Sequence, residues 1–214
     1  MSQIQVTSVT VQEKGRRKIH FENGMEILLY RNECRKYGIE EGMWLEEDIY
    51  QEIMTDVIGV RAKKRALHLL EKMDRTRKQL YDKLKQNGYP EECIEAALDY
   101  VESYHYIDDL RYARNYIRFH QKDKSRQRLK MDLMRKGVPK EEIEEALESE
   151  YENREQEQIR ALMYKKHFSF ETADQAEVRR MYQFLLRRGF RSSDISHVMR
   201  ETGEEIVEED SFTL

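Results

Sequence analysis

The chain has 214 residues, of which 39% are hydrophobic and 37% charged, with a formal net charge of −4. So large a charged fraction leaves room for thin cores only, and the net acidity argues against a general nucleic-acid binder. No apolar run approaches the ~20 residues that a membrane-spanning helix needs, so no membrane association is expected.

Residues 1–57 read as a small β-rich segment with a closing helix. Ile4-Gln5-Val6 and Val9-Thr10-Val11 are β-branched and alternate. Lys14-Gly15 marks a turn, and Arg17 to Phe21 follow as a second strand. Asn23-Gly24 signals a tight hairpin, because both residues tolerate the positive φ of a primed turn. Met25 to Tyr30 form the third strand of an antiparallel meander. Asn32 to Tyr37 form a short helix ended by Gly38, and Gly42 to Leu45 return to the sheet. Glu46 to Asp56 are predicted helical, with acidic residues in the first turn.

From Val60 the period becomes helical. Arg61–Met73 is a first helix with Ala62, Ala66, Leu69, Leu70 and Met73 as its apolar stripe. Thr76 is the N-cap of a second helix, Arg77–Gln86, closed by Gly88. Tyr89 packs inward, and Pro90 stands in the first turn of a third helix that runs to about Ser103. Asp108-Asp109 open the next helix, to about His120; Ser125 caps its successor, Gly137 ends that one, and Pro139 starts another. A further triplet opens near Glu155, with a longer loop around Phe168 to Thr172 and caps supplied by Arg191 to Asp194. From Thr202 the chain is acidic and expected to fray.

These segments are copies of one unit. Leu80, Leu84, Gly88, Ile94 and Leu98 align without gaps with Leu129, Leu133, Gly137, Ile143 and Leu147, and then with Met181, Leu185, Gly189, Ile195 and Met199. The copies stand 49 and 52 residues apart, a period that marks tandem structural repeats. The reading is therefore a mainly α protein: three-helix repeats at 58–107, 108–153 and 154–201, forming an elongated curved array behind the β-rich segment 1–57, with an acidic tail at 202–214. Such arrays usually serve as binding scaffolds.

Charge is strongly segregated. From Ile58 to Lys140 there are 21 Lys and Arg against 12 Asp and Glu, a net of +9; from Glu141 to Glu157, 9 acids face one Arg, a net of −8. Arg75, Arg77 and Lys78 surround the Thr76 cap, and Lys122, Lys124, Arg126 and Arg128 surround Ser125. Positive charge at a helix N-terminus opposes the helix dipole, so it is not expected to serve helix stability. It suits phosphates or acidic side chains, or it merely keeps a face soluble. Tyr100, Tyr104, Tyr106, Tyr112 and Tyr116 cluster at the junction of the first two repeats beside Arg111, Arg114 and Arg118. Two uses are open: an aromatic and basic contact surface, or packing between repeats, as the shared face of Tyr112 and Tyr116 favours.

Catalytic patterns are not found: there is no Gly-rich phosphate loop, GxSxG, HExxH or CxxC. The six histidines lack ligand spacing, and the side chains of Asp108 and Asp109 diverge by about 100° on a helix, which suits a cap and a dipole partner. Cys34 and Cys93 read as reduced thiols in a cytosolic protein, and the N-terminus does not read as a signal peptide. No enzyme activity, metal or cofactor is expected.

The stretch 66–117 resembles the regulatory protein RecX family. Arg75-Thr76-Arg77-Lys78-Gln79-Leu80 is similar to its R-[ST]-x-x-[EQ]-L stretch. Lys85 to Tyr89 are similar to its K-x-x-x-G-[FY] turn, and Asp108 to Ala113 to its D-D-x-x-[YF]-A motif. Lys136-Gly137-Val138 and RRGF at 187–190 echo the turn in the later copies. The likeness covers about 60–200 and, more loosely, the N-terminal segment, as in longer Gram-positive-type members. Tyr104 to Ile107 depart from it, for the family often has glycine before the aspartate pair. The resemblance implies a monomeric cytoplasmic modulator of the recombinase RecA, acting in DNA repair, homologous recombination and the SOS response. It would bind in the groove of the RecA–DNA filament, where DNA contact is possible, and curb ATPase, strand exchange and coprotease activities. The residues expected to touch the partner are Arg75, Arg77, Lys78, Arg111, Arg114, Lys124, Arg126 and Arg128. The alternative is a helical-repeat protein that binds nucleic acid directly, with steep salt dependence.

Overall fold

The computed structural model of the protein describes residues 3–152, 154–169 and 172–209, with residues 202–209 by backbone alone. The chain divides into two compact units, the first ending at Asp108 and the second beginning at Asp109.

The first unit opens with strands β1 (Gln3–Val11), β2 (Arg16–Phe21), β3 (Glu26–Tyr30) and β4 (Trp44–Glu46), an antiparallel sheet in the order β3-β2-β1-β4. Both apolar pieces of the first expected strand belong to β1, which is bulged between Val6 and Ser8. The turns differ from expectation. Lys14 and Gly15 take φ of 60° and 72°, so two successive left-handed residues join β1 to β2. At Asn23-Gly24 only Gly24 has positive φ, 80°. Asn23 instead turns the chain through its side chain, whose Oδ1 accepts from the Met25 amide at 3.0 Å, as short polar residues do where backbone and side chain compete for one donor.

Helix α1 (Arg31–Lys36) crosses back to β4, and α2 (Glu47–Glu52) follows. The expected break after Asp56 is absent: Ile53–Gly59 continue in π-helical geometry directly into α3 (Val60–Lys72). A π segment leaves carbonyls off the regular ladder. Here the Cys93 thiol donates to the Met54 carbonyl at 3.3 Å, and Gly59 lets that same oxygen within 3.1 Å of where a Cβ would stand. The apolar stripe of α3 stops at Leu70; Met73 lies beyond the helix, extended and 56% exposed.

Helices α4 (Arg77–Gln86) and α5 (Glu91–Ser103) complete the first triplet. The second is α6 (Asp109–His120), α7 (Arg126–Lys136) and α8 (Lys140–Glu150); the third is α9 (Glu155–Lys165), α10 (Gln175–Arg187) and α11 (Ser192–Glu209). The aligned apolar positions of all three copies are buried, and Gly88, Gly137 and Gly189 take φ of 82°, 84° and 82°. Pro90 and Pro139 stand just outside α5 and α8 as extended N-cap residues; their carbonyls accept from Ile94 and Ile143, each at 3.0 Å. The loop expected around Phe168 to Thr172 includes residues 170 and 171, outside the described residues. The acidic run after Thr202, expected to fray, continues α11 to Glu209.

One core joins the sheet to the first triplet, from Val6, Ile19 and Leu29 through Ile58 to Leu84 and Leu98. The second triplet has its own core around Ile117, Leu129, Leu133 and Ile143, and the third around Ile159, Leu185, Phe190 and Ile195. The turn before the aspartate pair keeps a left-handed residue although it lacks glycine, because His105 takes φ of 57°. Asn, Asp and His reach this region more readily than β-branched residues.

Gly189 is tightly packed. A Cβ there would stand 2.7 Å from Ser125 Oγ and 3.1 Å from the Arg128 amide nitrogen, while Gly38, at φ 62°, has nothing within 4 Å. Gly38→Ala is therefore expected to cost about 1 kcal/mol, the conformational penalty alone. Gly189→Ala is expected to cost at least about 1 kcal/mol more, from the added clash. Denaturant unfolding of the two variants checks this; equal losses would show that the approach at Gly189 is not a constraint.

Candidate partner-binding surface

The second helix of each triplet begins at a side-chain cap. Thr76 Oγ1 accepts from the Gln79 amide at 3.1 Å, and Ser125 Oγ from the Arg128 amide at 3.2 Å. Both hydroxyls are fully buried. In the third triplet α10 starts one turn earlier. Its cap is Asp174, which accepts from the Glu177 amide at 2.7 Å; the S/T pattern of the other copies hid this residue.

The basic residues around the caps are brought together with carboxylates of the same triplet. Arg77 reaches Glu95 and Asp99 at 3.0 Å each and Glu102 at 3.2 Å, all on α5. Arg126 reaches Glu144 on α8 at 3.2 Å. Both Arg77–Glu95 and Arg126–Glu144 are equivalent under the 49-residue repeat. The cap charge thus has a structural use that the dipole argument missed: it braces the second helix to the third. At the equivalent places the third copy has Val178 and Ser196.

The other predicted contacts are more scattered. Lys78 pairs along its own helix with Asp82 at 3.1 Å. Arg75 is half-buried and its Nε has no hydrogen-bond partner. Arg111 is exposed on α6. Arg114 reaches Glu145 at 2.9 Å, and Arg118, one turn further along, reaches Glu150 at 2.7 Å. Lys122 is exposed between α6 and α7. The tyrosine cluster does not form one group: the buried rings pack on the core of their own triplet. Tyr100, Tyr112 and Tyr116 pack on the cores, whereas Tyr104 and Tyr106 are exposed and stack at 6.1 Å.

A further group centres on Asp132, which is only 5% exposed. Its carboxylate accepts from Lys124 Nζ at 2.9 Å and from the Tyr116 hydroxyl at 3.2 Å. Arg128 Nε lies 3.3 Å away, and Arg135 also pairs with it. Lys136 sits 5.7 and 5.2 Å over the rings of Tyr112 and Tyr116. Sequence reasoning singled out Lys124 and Arg128 but missed Asp132, Arg135 and Lys136. The signal was there in α7 spacing, since 128, 132, 135 and 136 share one helix face.

Between the second and third triplets lies a groove of about 970 Å³, lined among others by Arg126, Lys130, Tyr151, Glu155, Arg191 and Asp194. Charges of both signs meet there: Lys130 pairs with Glu144, and Glu155 accepts from the Arg126 amide and the Tyr151 hydroxyl, each at 3.1 Å. The two thiols are buried away from these surfaces, and burial pushes Cys93 up to about 11, so it stays a protonated thiol near neutral pH. Among the described residues no group of three or more His, Cys, Asp or Glu is placed to hold a metal ion, and no helix is long and apolar enough to cross a membrane.

Repeated helix triplets with charged outer faces define a protein of the tandem three-helix-domain class. Comparison with known proteins narrows the class. The RecX family models match in tandem: the first three-helix domain over residues 62–100, the second over 108–147 and the third over 153–199. The protein called Regulatory protein RecX in Caldanaerobacter subterraneus subsp. tengcongensis is 34% identical over 167 residues, 77% of this chain and 82% of its own. That of Vibrio campbellii is 31% identical over 152 residues, 71% and 96% of the two chains. That of Clostridium acetobutylicum is 27% identical over 208 residues, 94% and 97%, and so extends over the sheet-bearing segment. The fold is similar to a crystal structure of regulatory protein RecX, with a TM-score of 0.59 at 24% identity over 91% of this chain and 98% of that one. It is also similar to RecX from Lactobacillus salivarius, with a TM-score of 0.55 at 24% identity over 68% and 97%. The chain belongs to the RecX family of regulatory proteins.

Asp132 yields a test of the geometry. Burial alone would push its carboxyl up, but hydrogen bonds from Lys124 and Arg135 and the charges of Lys124 and Arg128 more than reverse this, leaving it below the usual range. A carboxyl whose pKa folding lowers adds stability that is full above the unfolded value of about 4 and is lost as pH falls through the folded value. Asp132→Asn is expected to cost about 1–3 kcal/mol at pH 7. The gap to the parent protein should close as pH drops below about 4. Denaturant unfolding as a function of pH checks this, and a gap that stays constant through the acid range would sink it.

Proposed function

We propose that this chain is a negative regulator of the recombinase RecA. It binds in the groove of the RecA–DNA filament and inhibits ATP hydrolysis, strand exchange and coprotease activity. It does so as a cytoplasmic monomer, by binding alone, without cofactor or catalysis. The observation that carries this reading is membership of the RecX family across three consecutive three-helix domains. Charged faces on successive triplets support it, because a polymer is best held by many modest contacts, whose combined strength exceeds any single one.

The expected contacts are Arg75, Arg77, Lys78, Arg111, Arg114, Lys124, Arg126 and Arg128. Their internal partners rank them. Arg77 and Arg126 brace the second helix to the third and contribute through geometry as well as charge, whereas Arg75, Lys78 and Arg111 lie outside those braces.

The test is an assay of RecA ATP hydrolysis on single-stranded DNA. Added protein should suppress hydrolysis, and unaltered hydrolysis at saturating protein would reject the reading. Arg75→Gln combined with Lys78→Gln is expected to raise the half-inhibitory concentration about tenfold, with stability held within about 0.5 kcal/mol. Arg77→Gln should instead lower stability as well, by up to about 1 kcal/mol. Inhibition that survives the first variant unchanged would move the contact surface elsewhere.

A further inference from the structure

The start of α7 lacks an acceptor that its two counterparts carry. In the first repeat the Gln79 side chain accepts from the Thr76 amide at 3.3 Å, and in the third Glu177 accepts from the Asp174 amide at 3.1 Å. Each closes a capping box, in which the residue three places on satisfies the amide of the cap. Under the 49-residue repeat the place of Gln79 is taken by Arg128. A guanidinium only donates, so α7 cannot close the box from its own sequence. The third triplet answers instead. The Ser125 amide donates to the Arg188 carbonyl at 3.3 Å, and the Arg126 amide donates to Glu155 Oε1 at 3.1 Å. Amides at a helix start have no partner within the helix. These two find theirs at the end of α10 and the beginning of α9.

Two further contacts tighten this junction. Tyr151, packed on the core of the second triplet, donates its hydroxyl to the same Glu155 oxygen at 3.1 Å. Gly189 follows Arg188 at φ 82° and, having no Cβ, lets Ser125 Oγ come within 2.7 Å of where one would stand. Yet the two cores stay separate. Phe190 packs with Ile159, Leu185 and Ile195, whereas Leu129 and Leu133 pack with Ile117 and Ile143. The sheet, by contrast, shares a single core with the first triplet. Opening the second-to-third junction therefore exchanges hydrogen bonds for bonds to water, a small net change, and leaves each triplet its own buried core. The groove of about 970 Å³ runs beside these contacts and is lined by Arg126, Tyr151, Glu155 and Gly189.

We propose that the Glu155 carboxylate and the Arg188 carbonyl form a releasable latch, which holds the third triplet on the second by supplying the acceptors that α7 lacks. Closed, the latch fixes the groove between the triplets. Open, it lets the third triplet move as a body with its helices intact. A partner that binds one arrangement more tightly shifts the balance by that difference in affinity and no more. A junction made of a few polar contacts keeps the balance within reach of such a shift. The latch is a property of the chain by itself, whatever partner the triplets meet.

The experiment measures the distance between two spin labels by pulsed electron resonance on the full chain carrying Met134→Cys and Tyr164→Cys. Both positions are exposed, one on α7 and one on α9. Cys34 and Cys93 are buried, and the chain with these two thiols alone sets the labelling background. The parent is expected to give one narrow distance. Glu155→Ala should raise the ratio of open to closed about tenfold, the effect of one lost charge-assisted hydrogen bond, seen as a second, broad population. Glu155→Gln keeps an acceptor oxygen and should stay narrow. Arg128→Gln restores the box, competes with the Arg188 carbonyl for the Ser125 amide, and should open the junction without touching Glu155. Circular dichroism separates opening, which leaves helix content unchanged, from unfolding. If Glu155→Ala does not fold, Arg128→Gln decides alone. One narrow distance in both variants would overturn the proposal, as would a parent distribution already as broad as theirs. Glu155→Gln as broad as Glu155→Ala would overturn the acceptor role. Lost helix content in Glu155→Ala with a closed Arg128→Gln would reduce Glu155 to a helix cap and overturn the latch.

Discussion

The second helix of each triplet is pinned at both ends, and the rest of the module is arranged around that. At its start a side chain accepts an amide that the helix cannot satisfy itself, and at Thr76 and Ser125 this exchange is sealed from water. Burying an unpaired amide there would cost more than the bond itself contributes. At its end a glycine in the left-handed region turns the chain so that the next residue, Tyr89, Val138 or Phe190, packs onto the core. With both ends set, Leu80 and Leu84, or their equivalents, have one face to occupy, and the third helix follows at a fixed angle.

Charge completes the module. In the first two repeats a basic residue at the start of the second helix reaches carboxylates on the third, and the pairs Arg77–Glu95 and Arg126–Glu144 occupy matching positions. These pairs are partly exposed, so each contributes modestly; their value is that acidic and basic segments far apart along the chain become neighbours. The segregation seen along the sequence is therefore largely neutralised within each triplet. Excess positive charge stays on α3 and on α7, each with five Lys and Arg against one acid.

Much of this was legible beforehand. The thrice-repeated apolar and glycine pattern placed the second and third helices of each triplet, two of the three caps and twelve core residues. The antiparallel meander near the N-terminus followed from alternation and turn residues; that β4 pairs with β1 did not. The failures have local causes. Asn23-Gly24 and Lys14-Gly15 both carry turn chemistry, and only the pairing of the strands decided which would hold two successive left-handed residues. The helical run through Ile53–Gly59 was read as ending at Asp56 because a π segment shifts the apolar period, and its stray carbonyl is answered by Cys93, some forty residues away. The Asp174 cap was missed because the helix it serves is one turn longer than its siblings.

From the sequence alone came the module: its length, its number of copies, which faces are apolar and where each helix must stop. These are properties of short stretches, set by side-chain periodicity and by the few residues that tolerate a cap or a positive φ. Tertiary structure alone decided what the charges do. Whether a lysine or arginine braces a neighbouring helix or faces outward depends on which carboxylates folding brings within about 4 Å, and proximity between helices has no signature in spacing along one of them.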